Sequence, residues 1–139
     1  MDYRGLIEDA LEARAHAYCP YSGFAVGAAL LGVSGRVYSG CNIENASYSV
    51  CNCAERTALF KAVSVGETTF KAIAVVAGDV AHIDEMPNTV APCGVCLQAL
   101  SEFDDGDMMV ILARSPSDYE VLTLGQLLPH RFGAHDLTT

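Results

Sequence analysis

Apolar and polar positions along the chain form patterns that predict an ordered series of helices and strands. Apolar residues recur at helical spacing from Leu6 to Ala17, which is typical of an amphipathic helix. Short, nearly continuous apolar runs further along are typical of buried strands. The pattern predicts strands over 24–31, 36–40, 70–77 and 108–113, and helices over 53–65, 94–103 and 123–128.

The order of these elements predicts a layered fold. Helices and strands follow one another as α-β-β-α-β-α-β, and the turn at 32–35 joins the first two strands as a hairpin. Helices in such a chain cover the faces of a sheet, so the order predicts a three-layer α/β/α sandwich. The length of 139 residues fits a single domain over 1–139, and no repeat or linker divides it.

Composition and charge narrow the classes of function. Hydrophobic residues make up 51% of the chain and charged residues 18%, which indicates a globular core. The apolar stretches are far shorter than the roughly 20 residues that span a bilayer. Acidic residues interrupt the N-terminal segment where a signal peptide needs apolar ones, so we expect a cytoplasmic protein without a membrane partner. The net charge of -9 and the scattered cations disfavour nucleic acid and favour a small, weakly charged substrate.

Three of the 6 cysteines have the positions of metal ligands. Cys93 and Cys96 form a Cys-x-x-Cys pair at the start of one predicted helix, and Cys53 opens another. Helix N-termini favour the thiolate form, and three thiolates suit Zn²⁺. Three protein ligands leave the fourth tetrahedral position open, as in catalytic zinc sites. The pattern therefore predicts a catalytic zinc site.

The cysteine pattern alone also allows alternatives to a catalytic zinc site. The three could be ordinary buried residues, or Cys93 and Cys96 could form a redox dithiol. A structural zinc site would need Cys41 or Cys51 as a fourth ligand. We expect Cys19, Cys41 and Cys51 to be small buried side chains without a chemical role.

Two charged residues follow Cys53 closely. An acid such as Glu55 is common in the first turn of a helix, but beside an open zinc position it can accept a proton from water and pass it on. Three thiolates and Zn²⁺ sum to a net charge of about −1, which a nearby cation would offset. Arg56 is the candidate for that role, and the alternative is a surface pairing with Glu44 or Glu67.

Five blocks of sequence occur in a specific order over nearly the whole chain. They are YSGFAVGAAL at 21–30, GCNIENASY at 40–48, CAERTA at 53–58, PCGVC with Gln98 at 92–98, and LLP with Phe132 at 127–132. Together they resemble the cytidine deaminases, the small bacterial type with three cysteine zinc ligands. The resemblance implies an α/β fold with a mixed five-strand sheet, bound Zn²⁺ and a homotetramer.

The same resemblance implies a reaction. Cytidine and 2′-deoxycytidine would be deaminated by hydrolysis to uridine and 2′-deoxyuridine with release of ammonia, a step of pyrimidine salvage. Water would add at C4 of the cytosine ring, and Glu55 would carry a proton to N3 and to the leaving ammonia.

The resemblance also implies which residues bind the substrate. Phe24 would pack on the base, and the backbone of Ala54 would contact the pyrimidine. Asn42 and Glu44 would bind the 3′-hydroxyl of the ribose. Phe132 would close the pocket of a neighbouring subunit.

The chain departs from the family pattern at one position. Leu97 stands where the family usually carries an arginine before the glutamine. The resemblance places Arg56 against the ligand sulfurs, and with Leu97 present the charge relief of the thiolates falls on that arginine.

Other functions would require different residues at the site. A related substrate, such as a modified pyrimidine nucleoside or a cytosine-containing antibiotic, is the alternative within the deaminases. A nucleotide deaminase would need a cationic phosphate clamp, and a deaminase of single-stranded nucleic acid would need a basic track. A non-catalytic zinc module would gain nothing from Glu55.

Overall fold

A computed structural model of the protein describes residues 2–82 and 86–138. The helices are α1 (Arg4–Arg14), α2 (Ala54–Ser64), α3 (Gly94–Ser101) and α4 (Leu124–Leu127). The strands are β1 (Phe24–Gly32), β2 (Val37–Cys41), β3 (Phe70–Asp79), β4 (Met109–Ser115) and β5 (Asp118–Thr123). Short 3₁₀ helices lie at Tyr48–Val50, Val80–His82 and Ala134–Leu137. No helix within these ranges is long and apolar enough to cross a membrane.

The five strands form one mixed sheet in the order β2-β1-β3-β4-β5. Strands β3 and β4 run parallel, and the other neighbours are antiparallel. The parallel pair needs a long crossover, and α3 lies within it. The predicted α/β class and five-strand mixed sheet are confirmed.

Helices cover both faces of the sheet because successive strand residues point to opposite sides. On the face covered by α1, the core consists of Leu6, Ile7, Ala10, Ala29, Ala72, Ala74, Val76, Ile111 and Ala113. On the face covered by α2 and α3, the core includes Ala28, Leu30, Ala58, Leu59, Ile73, Val75, Leu97, Leu100 and Val110. Strand β3 contributes to both cores, which explains its continuous apolar run and confirms the three layers.

The fifth strand was missing from the hydrophobic pattern. Residues of β5 are mostly exposed or half-buried, because the strand lies at the edge of the sheet. The segment after it does form the short helix predicted over 123–128, as α4. Its start is fixed by a reciprocal cap, in which Thr123 Oγ1 accepts from Gln126 N (3.1 Å) and Gln126 Oε1 accepts from Thr123 N (2.8 Å).

Arg14 is a charged residue within the core-facing side of α1. Its side chain is buried at the end of α1. The guanidinium donates from Nε to the Ala25 carbonyl (3.1 Å) and from Nη2 to the Gly78 carbonyl (2.9 Å). The start of β1 and the end of β3 are therefore tied to α1.

Gly27 allows α1 to approach the sheet closely, and its substitution by alanine should destabilise the fold. A Cβ at Gly27 would stand 2.0 Å from the Ala10 carbonyl oxygen and 2.6 Å from Arg14 N, both backbone atoms of α1. Because backbone cannot yield easily, we expect Gly27→Ala to lower the free energy of unfolding by about 1–3 kcal/mol in chemical denaturation. Gly5→Ala on α1 is the matched control, since a Cβ there meets no atom within 4 Å. Equal stability of the two variants would contradict this close packing.

Candidate active site

The three predicted cysteine ligands meet where two helices begin. Cys53 is the N-cap of α2, Cys93 is the N-cap of α3, and Cys96 is the third residue of α3. The Sγ atoms of Cys53 and Cys93 are 3.7 Å apart, and those of Cys93 and Cys96 are 3.5 Å apart. All three sulfurs lie within 4.8 Å of one another, close to the positive ends of both helix dipoles.

The spacing of the sulfurs fits a zinc ion. Three sulfurs at about 2.3 Å from a tetrahedral zinc would stand roughly 3.8 Å apart. Cys51 does not join the cluster within the described residues, because its sulfur lies 3.3 Å from the backbone nitrogen of Asn45. Cys41 lies outside it as well. Both side chains are half-buried rather than fully buried, so the expectation of buried packing residues was wrong for these two.

Arg56 contacts a cysteine sulfur and not a surface acid. Its Nη2 donates to Cys53 Sγ at 3.4 Å. Hydrogen bonds from Cys96 and from Arg56 lower the pKa of Cys53 to about 5. The hydrogen bond to Cys53 and burial raise the pKa of Cys96. Cysteine ligands bind a metal as thiolates, so metal binding would release protons from such a cluster.

Glu55 is buried beside the cysteines. It is the second residue of α2, and only 4% of its surface is exposed. Burial raises the pKa of its carboxyl to about 7, and the negative charge of Cys53 acts in the same direction. An acid of this kind, held next to a metal site, is suited to accept a proton and to give it back.

A cavity of about 410 Å³ opens beside the cysteines and Glu55. Its lining contains both apolar and polar side chains. The lining residues are Ser22, Phe24, Val26, Asn42, Glu44, Cys51, Asn52, Cys53, Glu55, Arg56, Val75, Val90, Ala91 and Cys93. The structure thus brings most of the predicted site residues to one cavity.

The Asn42 side chain forms two hydrogen bonds with the backbone of β1 beside the cavity. Its Oδ1 accepts from Val26 N, and its Nδ2 donates to the Phe24 carbonyl, both at 2.8 Å. One amide hydrogen remains available to a ligand. Phe24 is 39% exposed and presents an aromatic side chain to the cavity.

Glu44 is held by the turn before β1. Its Oε1 accepts from the backbone nitrogens of Tyr21 (2.9 Å) and Ser22 (3.1 Å), and its Oε2 accepts from the Ser22 hydroxyl. The hydrogen bond from that hydroxyl lowers the pKa of Glu44, so the carboxylate is charged at neutral pH. Ser22 was not predicted as a site residue, and no local pattern could have linked it to a residue 22 positions away.

Three predicted site residues do not line this cavity: Cys96, Ala54 and Phe132. Cys96 is fully buried, although its sulfur belongs to the cluster. Ala54 is fully buried at the start of α2, packed close to Gly40 of β2. Phe132 is 57% exposed, and its carbonyl accepts from Gln98 Nε2 at 2.8 Å. Its predicted role in a neighbouring subunit stays a prediction.

Leu97 lies in the apolar core between the sheet and α3, where 7% of its surface is exposed. The position therefore brings no cation to the sulfurs. Arg56 is the arginine that contacts them in the described part of the chain.

Comparison with known proteins agrees with the geometry. The family model of the cytidine and deoxycytidylate deaminase zinc-binding region matches residues 2–112. A cytidine deaminase of Sporosarcina psychrophila is 50% identical over 99% of this chain and 96% of its own length. A cytidine deaminase of Halalkalibacterium halodurans is 48% identical over 99% of this chain and 98% of its own.

A solved structure gives the same result for the fold. The crystal structure of cytidine deaminase from Burkholderia pseudomallei superposes with a TM-score of 0.84 at 47% identity, covering 95% of this chain and 100% of that one. On sequence and on structure together, the chain belongs to the zinc-binding cytidine and deoxycytidylate deaminase family.

Proposed function

We propose that this protein converts cytidine and 2′-deoxycytidine to uridine and 2′-deoxyuridine by zinc-dependent hydrolysis, with release of ammonia. The observation that carries the proposal is the cluster of three cysteine sulfurs at zinc spacing beside the buried carboxylate of Glu55. Both border a cavity of about 410 Å³, which is within the range of small-molecule sites. This chain aligns with the two cytidine deaminases named above over almost their whole length.

Cys53, Cys93 and Cys96 would hold the zinc, and two of them, Cys53 and Cys93, line the cavity. When bound, zinc acts as a Lewis acid that lowers the pKa of water to about 7. The negative charge of the thiolates would weaken this effect. Arg56 would offset part of that charge, because its guanidinium donates a hydrogen bond to the Cys53 sulfur.

Glu55 would move the protons of the reaction. Its carboxylate accepts a proton from the attacking water and delivers it to N3 of the cytosine ring, as oxygen bonds to C4. It then takes the proton of the new hydroxyl and passes it to the exocyclic amino group. The C4–N bond breaks, ammonia leaves, and the uracil carbonyl forms.

The rest of the cavity would bind the nucleoside. Phe24 offers an aromatic wall to the base. The contact of the Ala54 backbone with the pyrimidine stays a prediction, because Ala54 is fully buried and outside the cavity lining. Asn42 and Glu44 both line the cavity, where an amide hydrogen and a carboxylate can bind a sugar hydroxyl.

The charge of the cavity favours a nucleoside over a nucleotide. Among the lining residues, the one cation is Arg56, which is already bonded to Cys53, whereas Glu44 and Glu55 are acids. A 5′-phosphate would gain no charged partner from these residues.

We expect purified, zinc-loaded protein to deaminate cytidine and 2′-deoxycytidine, with kcat/KM for CMP at least about 100-fold lower, because phosphate binding needs charge-assisted donors. The ultraviolet change on conversion to the uracil product measures each rate, and free cytosine serves as the sugar-free comparison. Absence of turnover with both nucleosides would contradict the function. Equal use of CMP would contradict the nucleoside assignment.

The active species would be a homotetramer in the cytoplasm. Several aromatic side chains remain exposed on one chain, including Tyr21 and Tyr48, whose rings pack edge to face, and Phe132. A neighbouring subunit would cover such residues, and its Phe132 would complete the pocket. The mass of the active species in solution tests this, and an active monomer would contradict it.

A further inference from the structure

Ser22 lines the cavity and contacts two of its other lining residues, Glu44 and Phe24. Its hydroxyl oxygen accepts from the backbone nitrogen of Phe24 at 3.0 Å and donates to Glu44 Oε2. The Ser22 backbone nitrogen donates to Glu44 Oε1 at 3.1 Å. One residue therefore holds both oxygens of the carboxylate.

This arrangement replaces a missing stretch of strand. Strand β2 pairs with β1 only as far as Gly27 opposite Cys41. Beyond that point the Asn42 backbone nitrogen donates to the Val26 carbonyl (3.3 Å), and the Asn42 side chain continues the pairing by bonding Val26 N and the Phe24 carbonyl. The Ser22 hydroxyl then accepts the remaining N–H of Phe24 on this side.

We infer that Ser22 is a positioning residue for sugar recognition, acting by fixing the carboxylate of Glu44 relative to Phe24. The inference rests on the proposed function, in which Glu44 binds the sugar. A glutamate is flexible, and ordering it only when the substrate arrives would weaken binding. The Ser22 hydroxyl orders it beforehand, so its loss acts on substrate binding more than on the chemical step.

The test is a double-mutant cycle of Ser22→Ala and Glu44→Ala, assayed with cytidine. We expect Ser22→Ala alone to lower kcat/KM about tenfold, mainly through a higher KM, as for loss of a hydrogen bond to a charged group. In the Glu44→Ala background the same change should cost less than about twofold, because the residue it positions is gone. Ser22→Thr keeps the hydroxyl and should recover most of the loss.

Several results would overturn the inference. They are an unchanged KM in Ser22→Ala, an equal loss in the Glu44→Ala background, and a Ser22→Thr variant as impaired as Ser22→Ala. A loss confined to kcat with a lowered thermal midpoint would indicate a structural role and would also overturn it. Failure of the proposed function is recognised separately, because the unmodified protein would then not turn over cytidine.

Discussion

Replacing Glu55 with glutamine is expected to lower kcat for cytidine by about 10²–10⁴-fold while the protein keeps its zinc. General acid–base catalysis contributes an effect of this size, and a glutamine amide cannot accept the proton of water. The side chain is nearly the same size, so the buried position should still pack. Zinc content by metal analysis and kcat from the ultraviolet assay measure the two halves of this prediction.

The control for Glu55→Gln is Glu102→Gln, the same chemical change at an exposed residue after α3. It should leave kcat and zinc content unchanged. If the Glu55→Gln protein held a full complement of zinc and turned over cytidine at the unmodified rate, Glu55 would not be the proton carrier.

Cys93→Ala should abolish both zinc binding and turnover. The sulfur of Cys93 lies next to those of Cys53 (3.7 Å) and Cys96 (3.5 Å), so its removal leaves two ligands. Zinc sites of proteins use at least three protein ligands, and the loss of one should lower the affinity for zinc strongly. We expect less than about a tenth of the normal zinc content after dialysis, and activity reduced in proportion.

Cys51→Ala is the matched control, because Cys51 lines the same cavity but its sulfur lies against the Asn45 backbone. That variant should keep its zinc and most of its activity. Full zinc occupancy in Cys93→Ala would contradict the assignment of Cys93 as a ligand. Loss of zinc in Cys51→Ala would instead favour a site with a fourth cysteine.

Much of the fold and the sulfur cluster could be predicted from sequence because the signals are local. A few consecutive residues are enough to identify the cysteine at the start of one helix and the Cys-x-x-Cys pair at the start of another. The same is true of the apolar run of β3. The acid two positions after Cys53 is equally local. The family resemblance then related the separate segments to one another.

Features that depend on distant contacts could not be predicted in the same way. Strand β5 is an exposed edge strand, so burial imposes no alternation on it. The side chain of Arg14 is buried because backbone carbonyls of Ala25 and Gly78 converge on it. The role of Ser22 depends on a contact with Glu44 that only the folded chain creates.

The most direct test of zinc-dependent deamination is to return zinc to metal-depleted protein and to measure the turnover of cytidine. We predict no ammonia release without metal and a rate that rises in proportion to bound zinc, levelling off at one zinc per chain. Ammonia and uridine should form in equal amounts. Turnover by the metal-depleted protein at the rate of the zinc-loaded one would contradict a zinc-dependent reaction at the three cysteines.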